Sequence, residues 1–230
     1  MWTISEVKAI GKSAFKANYW PCVLVAFLMS LFAGGVGAST RNEVQEADVN
    51  AAFNSLTPEQ QLALAAAVIG AVLIVIGIAL VIKIFLANPI ELGGSLFFKE
   101  NAEATPATLD LLKAGFRNYG HTFWTMFLRD LYTMLWCLLL LIPGIIKAYS
   151  YRMVPFILAE NPDMPANEII TRSREMMKGN KWRAFVLDLS FLGWILLGVV
   201  TLGLGLVFWT EPYIKSTDAA LYVKLKEQQG

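Results

Sequence analysis

This 230-residue chain has two cysteines, one histidine and little charge of either sign. Cys22 and Cys137 both lie inside apolar runs and share no metal-ligand or disulfide spacing. That removes a disulfide framework and a Cys-based metal site, and the thiols read as small buried hydrophobes. His121 stands alone, so no His–Cys cluster can form and a Ser-His-Asp triad has little to build on. It sits beside aromatic residues and reads as an interfacial ring. Charged residues are 16% of the chain, against about 25% in soluble domains. A net charge of +1 lacks the basic excess of a nucleic-acid binder. No glycine-rich phosphate loop of the Walker type is present. Acid–base chemistry would need Asp130, Asp188 or Glu211 to converge, which spacing does not establish. The sequence therefore gives no reason to expect an enzyme, a cofactor or a metal.

What the chain has in abundance is apolar surface. Hydrophobic residues are 56% of it and mean hydropathy is +0.53. Its length accommodates six spans of ~20 residues with short loops and no additional soluble domain. One unit recurs three times: a basic amphipathic stretch ending in aromatic residues, a strongly apolar run, then a weaker run containing proline. The openings are Ser5–Trp20, Thr105–Trp124 and Asn167–Trp182. The second and third copies also share Asp-Leu-x4-Trp, at Asp130-Leu131 with Trp136 and Asp188-Leu189 with Trp194. Such duplication is a mark of polytopic membrane proteins.

The expected fold is an all-α, polytopic membrane helical bundle forming a single domain, 1–230. Repeat one covers 1–94, with an extracellular loop at 39–60; repeat two covers 105–160 and repeat three 167–222. Thr3 and Glu6 form a capping-box pattern ahead of a helix over 3–18, whose Lys8, Lys12 and Lys16 share one face. The spans are Trp20–Ala38, Leu62–Ala87, Phe123–Ile142, Ile145–Ala159, Ala184–Leu202 and Leu204–Tyr222. Val36-Gly37-Ala38 resembles a signal-peptide cleavage site, but the aromatic ending before that run recurs internally where no cleavage occurs. Asn88-Pro89 is expected to break or kink a helix, Thr105-Pro106 to open one, and Pro143-Gly144 to form a tight turn. Lysine and arginine gather in the N-terminal helix, the 83–120 and 161–183 connections and the C-terminal tail. Six spans with both termini cytoplasmic satisfy that distribution. The basic helices would then meet anionic lipid at the inner face of the membrane or dock a partner protein.

The weaker runs are studded with charge. Lys83, Arg129, Asp130, Lys147, Arg152, Asp188, Glu211 and Lys215 form a candidate intramembrane polar cluster. A charge at mid-bilayer costs about 2.5–3.5 kcal/mol or more, so these residues should face protein or water. One reading is a cavity or pathway for a small solute or lipid head group. The other is structural: Lys83 snorkels, Glu211 pairs with Lys215 four residues on, and Asp188 or Asp130 pairs with Arg152 or Arg129. A second geometry also stays open. The stretch from Asp130 to Pro143 is only ~20 Å of helix, too short for a hydrocarbon core of about 30 Å. With those aspartates at the interface, repeats two and three would be re-entrant hairpins.

Asn88-Pro89-Ile90-Glu91-Leu92-Gly93-Gly94, Ile142-Pro143-Gly144-Ile145-Ile146-Lys147-Ala148-Tyr149-Ser150-Tyr151 and Ser173-Arg174-Glu175-Met176-Met177-Lys178-Gly179-Asn180-Lys181-Trp182 resemble signatures of the bacterial domain-of-unknown-function family 975. The resemblance spans nearly the whole chain except 40–60. It implies a bacterial integral membrane protein of the cytoplasmic membrane. It implies no activity and carries over no site residues.

Overall fold

The computed structural model describes residues 2–32, 53–103 and 106–229, and these are helical with no strand. Helix α1 is Ile4–Ala17. Thr3 caps it, its hydroxyl accepting the Glu6 N–H at 3.2 Å. After Asn18 the chain bends by 106° into α2, Tyr19–Phe32. The rest of the first apolar run and most of the acidic loop, residues 33–52, lie outside the described residues, and with them the cleavage-like tripeptide. Helix α3 is Pro58–Ile82, followed by a π-helical segment Lys83–Ala87 and α4, Asn88–Ala102. The helical path does not end at Asn88-Pro89, because Pro89 falls in the first turn of α4, where its missing N–H costs nothing. Gly93 and Gly94 are contact points rather than a turn: a Cβ on Gly93 would overlap the Leu112 backbone, and one on Gly94 the Met29 side chain.

The segment expected to open at Thr105-Pro106 opens differently. Thr105 lies outside the described residues, and Pro106 precedes helix instead of beginning it. Thr108 leads into a 3₁₀ turn, Leu109–Lys113, and a short α5, Ala114–Arg117. Helix α6 is Tyr119–Leu139 and α7 is Leu141–Ser150. The turn between them sits at Leu140, whose backbone is extended, and not at Pro143-Gly144. Proline suits the first turn of α7, and Gly144 lets α7 approach the Cys137 backbone, closing the hairpin. The return run breaks again after Ser150, and α8, Val154–Glu160, restarts with Pro155 in its first turn.

The remainder comprises α9 (Ala166–Met176), α10 (Lys181–Leu189), α11 (Leu192–Val200), a π-helical segment Leu206–Thr210 and α12 (Glu211–Glu227). Gly203 supplies the turn between α11 and that segment with φ +87, and Leu202 beside it also has positive φ.

The buried core draws mainly on α1, α2, α4, α8, α9 and α12, with contributions from α6 and α10. Phe15 of α1, Phe97 and Phe98 of α4, Ile157 and Leu158 of α8, Ile169 of α9 and Tyr222 of α12 are all essentially shielded. Helix α1 lies on α12 with Gly11 against the Thr217 backbone. Its basic face is therefore the outside of a docked helix. Lys8 reaches back to the Ser190 carbonyl at 3.2 Å and stacks over the Phe191 ring, leaving Lys12 and Lys16 exposed. Two hairpins carry apolar side chains outward at their tips, Met134–Ile146 around Leu140 and Leu192–Leu204 around Leu202.

Two helical stretches are long and apolar enough to cross a membrane, Pro58–Val75 and Lys181–Val200, and α1 with α2 would add a third if that bent pair is one span. Six such stretches are not distinguished. Helices α6 and α12 do not qualify: α6 carries Arg129 and Asp130 in its middle, and α12 is 17 residues long and carries Glu211, Lys215 and Asp218.

Candidate functional site

Two arginines organise the polar interior. Arg129, on α6, reaches α4 and grips Glu91 with both ends of its fork, at 2.6 and 3.1 Å. The same guanidinium holds Asp130, its neighbour, at 2.9 and 2.7 Å. Arg152, in the turn between α7 and α8, repeats the pattern. It takes Asp188 of α10 bidentately at 2.9 and 2.7 Å and Asp218 of α12 at 2.5 Å. Tyr149 donates its hydroxyl to Asp188 at 2.7 Å and lies beside the Arg152 guanidinium. Each arginine is thus saturated by two carboxylates, one of them in the parallel fork geometry that favours arginine over lysine.

Both clusters border one cavity of about 300 Å³. Glu91, Arg129, Asp130, Arg152, Lys215 and Asp218 line it with Ser95, Thr133 and Tyr151, and Met29, Phe98, Pro155 and Phe156 supply its apolar wall. Ser95 and Thr133 spend their hydroxyl protons on carbonyls one turn back, of Glu91 and Arg129.

The residues singled out from sequence divide between the cavity and other places. Arg129, Asp130, Arg152 and Lys215 line it, and Asp188 stands behind it, bound to Arg152 and not to Arg129. Lys147 is elsewhere, over the Trp136 ring at 4.5 Å within the α6–α7 hairpin. Glu211 is also elsewhere: its only partner among the described residues is the Ser30 hydroxyl at 3.5 Å, and the expected Glu211–Lys215 pair does not form. The Lys83 side chain lies outside the described residues. Glu91, Asp218, Tyr149 and Tyr151 were not among the candidates. Glu91 follows the Asn88-Pro89-Ile90 motif and Asp218 sits one turn beyond Lys215, so both were visible as charges in weak runs. Their partners were not.

A second charged cluster ties α4, α8 and α12 together. Glu160 accepts from Lys226 at 2.8 and 2.9 Å and from Tyr222 at 2.8 Å, and pairs with Lys99 at 3.0 Å. Lys99 also meets Glu100 and Glu103. Burial pushes the Glu160 carboxyl up, but the hydrogen bonds from Lys226, Lys99 and Tyr222 outweigh it and hold the group below its ordinary 4.5. A carboxylate depressed in the folded state contributes stability above 4.5, which is lost as pH falls below that value and through the folded one. Glu160→Gln should therefore lower the melting temperature at pH 7 and flatten its decline below pH 4.5. A melting-temperature series against pH reads this, and parallel wild-type and variant curves would refute it.

His121 keeps a buried Nδ1 without a hydrogen-bond partner, and Cys22 and Cys137 are free thiols on different helices. Among the described residues no group of His, Cys, Asp and Glu side chains could hold a metal ion.

The family model described as Protein of unknown function (DUF975) matches residues 1–229, and the chain belongs to that family. No curated protein and no solved structure matches it.

Proposed function

We propose that this family member is a multi-pass protein of the bacterial cytoplasmic membrane that binds a small solute or lipid head group in its polar cavity. The observation that carries this reading is the cavity lined by Glu91, Arg129, Asp130, Arg152, Lys215 and Asp218, set in a chain whose helical hairpins point apolar side chains outward. Ligand sites usually begin at about 300 Å³, and a few placed polar groups give them specificity. A cavity of that size suits a metabolite-sized group. Transport across the membrane by way of this cavity is part of the same proposal. So is the six-span topology with three related units and cytoplasmic termini, since hairpin tips bare of charge belong on the far side of the bilayer. The exposed Lys12, Lys16, Arg172 and Lys178 favour anionic lipid beside the core, which also suits an accessory protein docking a partner there.

Two measurements test the proposal. Native mass spectrometry of protein released from lipid nanodiscs should show a bound small molecule or lipid that Thr133→Trp, which fills the cavity, loses. Equal occupancy in parent and variant would remove the cavity from the function. For topology, single cysteines replacing Lys178 and Leu202 in a cysteine-free background should differ. An impermeant thiol reagent added to intact cells should label the second and spare the first. Labelling of neither from outside, with both labelled in inverted vesicles, would establish re-entrant hairpins instead.

A further inference from the structure

Resting on the cavity reading above, we infer that the cavity recognises a zwitterion, with an oxyanion held by Lys215 and Tyr151 and a cationic group held by Asp218. The cavity leaves two donors unspent. Both arginines are satisfied by carboxylates of the protein. Lys215, by contrast, lines the cavity with no hydrogen bond or ion pair among the described residues. Tyr151 lines it too, its ring buried and its hydroxyl without a partner among those residues. An ammonium and a phenol lining one half-open space are donors that an acceptor bound there would satisfy. Lysine serves phosphate-type oxyanions as a point charge.

An anion alone would be poorly matched. Four carboxylates, Glu91, Asp130, Asp188 and Asp218, stand against three cations, Arg129, Arg152 and Lys215. Adding net negative charge to that set is costly in a space of low dielectric. A zwitterion leaves the balance unchanged. Asp218 offers the complementary acceptor: its Oδ1 takes one N–H of Arg152, and Oδ2 has no partner among the described residues. Asp218 is one helical turn from Lys215 on α12, so one face of one helix presents both poles. Phosphoethanolamine as a lipid head group, a phosphodiester with an ammonium, has this chemistry, and the free monoester presents the same two poles with up to about one further negative charge.

The test uses full-length protein and four probes. Binding of O-phosphoethanolamine, glycerol 3-phosphate and ethanolamine is measured in detergent by titration calorimetry. Phosphatidylethanolamine retention is measured in nanodiscs against phosphatidylglycerol. The zwitterion should bind about tenfold more tightly than either probe that carries charge of one sign only, since each pole adds a charge-assisted bond. Lys215→Gln should weaken it by about tenfold, Tyr151→Phe by less, and Lys215→Arg should retain it. Lys215 has no partner to lose, so Lys215→Gln should melt with the parent, separating binding from folding. Response to the free probe alone identifies a solute site, and retention of the lipid alone identifies a head-group site; either supports the inference. Binding that Thr133→Trp abolishes but Lys215→Gln leaves intact overturns the inference and spares the cavity reading. Binding that Thr133→Trp leaves intact overturns both. Equal affinity for glycerol 3-phosphate, or no binding of either phosphoethanolamine form, overturns the zwitterion assignment.

Discussion

Replacing Arg152 by methionine should cost about 3–5 kcal/mol of stability, the range found when one member of a buried ionic cluster is removed. The side chain is only 16% exposed, and its loss strands Asp188 and Asp218 together with nothing between them. The loss exceeds a single salt bridge because two carboxylates lose their cation and repel each other at once. Asp188→Asn should cost less, since Arg152 keeps Asp218 and Tyr149 keeps the amide oxygen as an acceptor. Combining Arg152→Met with Asp188→Asn and Asp218→Asn should recover much of the loss, because unpaired charge and not the absence of a salt bridge is the main penalty. Thermal unfolding in one detergent gives all of these values. An Arg152→Met variant that melts with the parent would show that the cluster is solvated and not structural.

The second large effect comes from a single methyl group. Gly115→Ala should destabilise by about 3 kcal/mol, at the upper end for overpacking, while Gly120→Ala, five residues on, should be neutral or stabilise by up to about 1 kcal/mol. At Gly115 a Cβ would fall on the backbone carbonyl of Pro89, which cannot swing aside as a side chain can. At Gly120, within α6, nothing stands within 4 Å, so alanine only improves helix propensity. The contact matters because Pro89 opens α4, two residues before Glu91. Separating α5 from α4 would pull Glu91 off Arg129. Equal melting temperatures for the two alanine variants would mean that α4 and α5 are not in contact.

How much of this the sequence disclosed depends on distance along the chain. Thr3 capping Glu6 is a local event and was readable. So was the all-helical class, since apolar runs as long as α3 have no other common reading. Turn positions were less so. Pro143-Gly144 is a strong turn pair by composition, yet the chain turns at Leu140, because proline fits a helix's first turn and Gly144 is needed for contact with Cys137. The polar cluster was readable as a set of costly charges and unreadable as a set of partners. Glu211 and Lys215 sit four apart and do not pair, whereas Arg129 finds Glu91 thirty-eight residues away. Spacing governs pairs along one helix, and here the pairing is decided by which helices pack. The same reason hid Tyr151: nothing local distinguishes a phenol that ends in a cavity from one that ends at the lipid boundary.

Helix α3 presents the opposite case. None of Pro58–Val75 is buried within the chain, and Gly70 and Gly77 look onto open space. A segment that buries none of its residues against the core has little vote in the folding equilibrium of the rest. Its stability is set by its surroundings through partitioning, and heat or denaturant that dismantles the core would leave it helical for as long as its solvent stays apolar. Calorimetry of the whole chain would then register a smaller cooperative unit than its length suggests, and the missing part would be this helix.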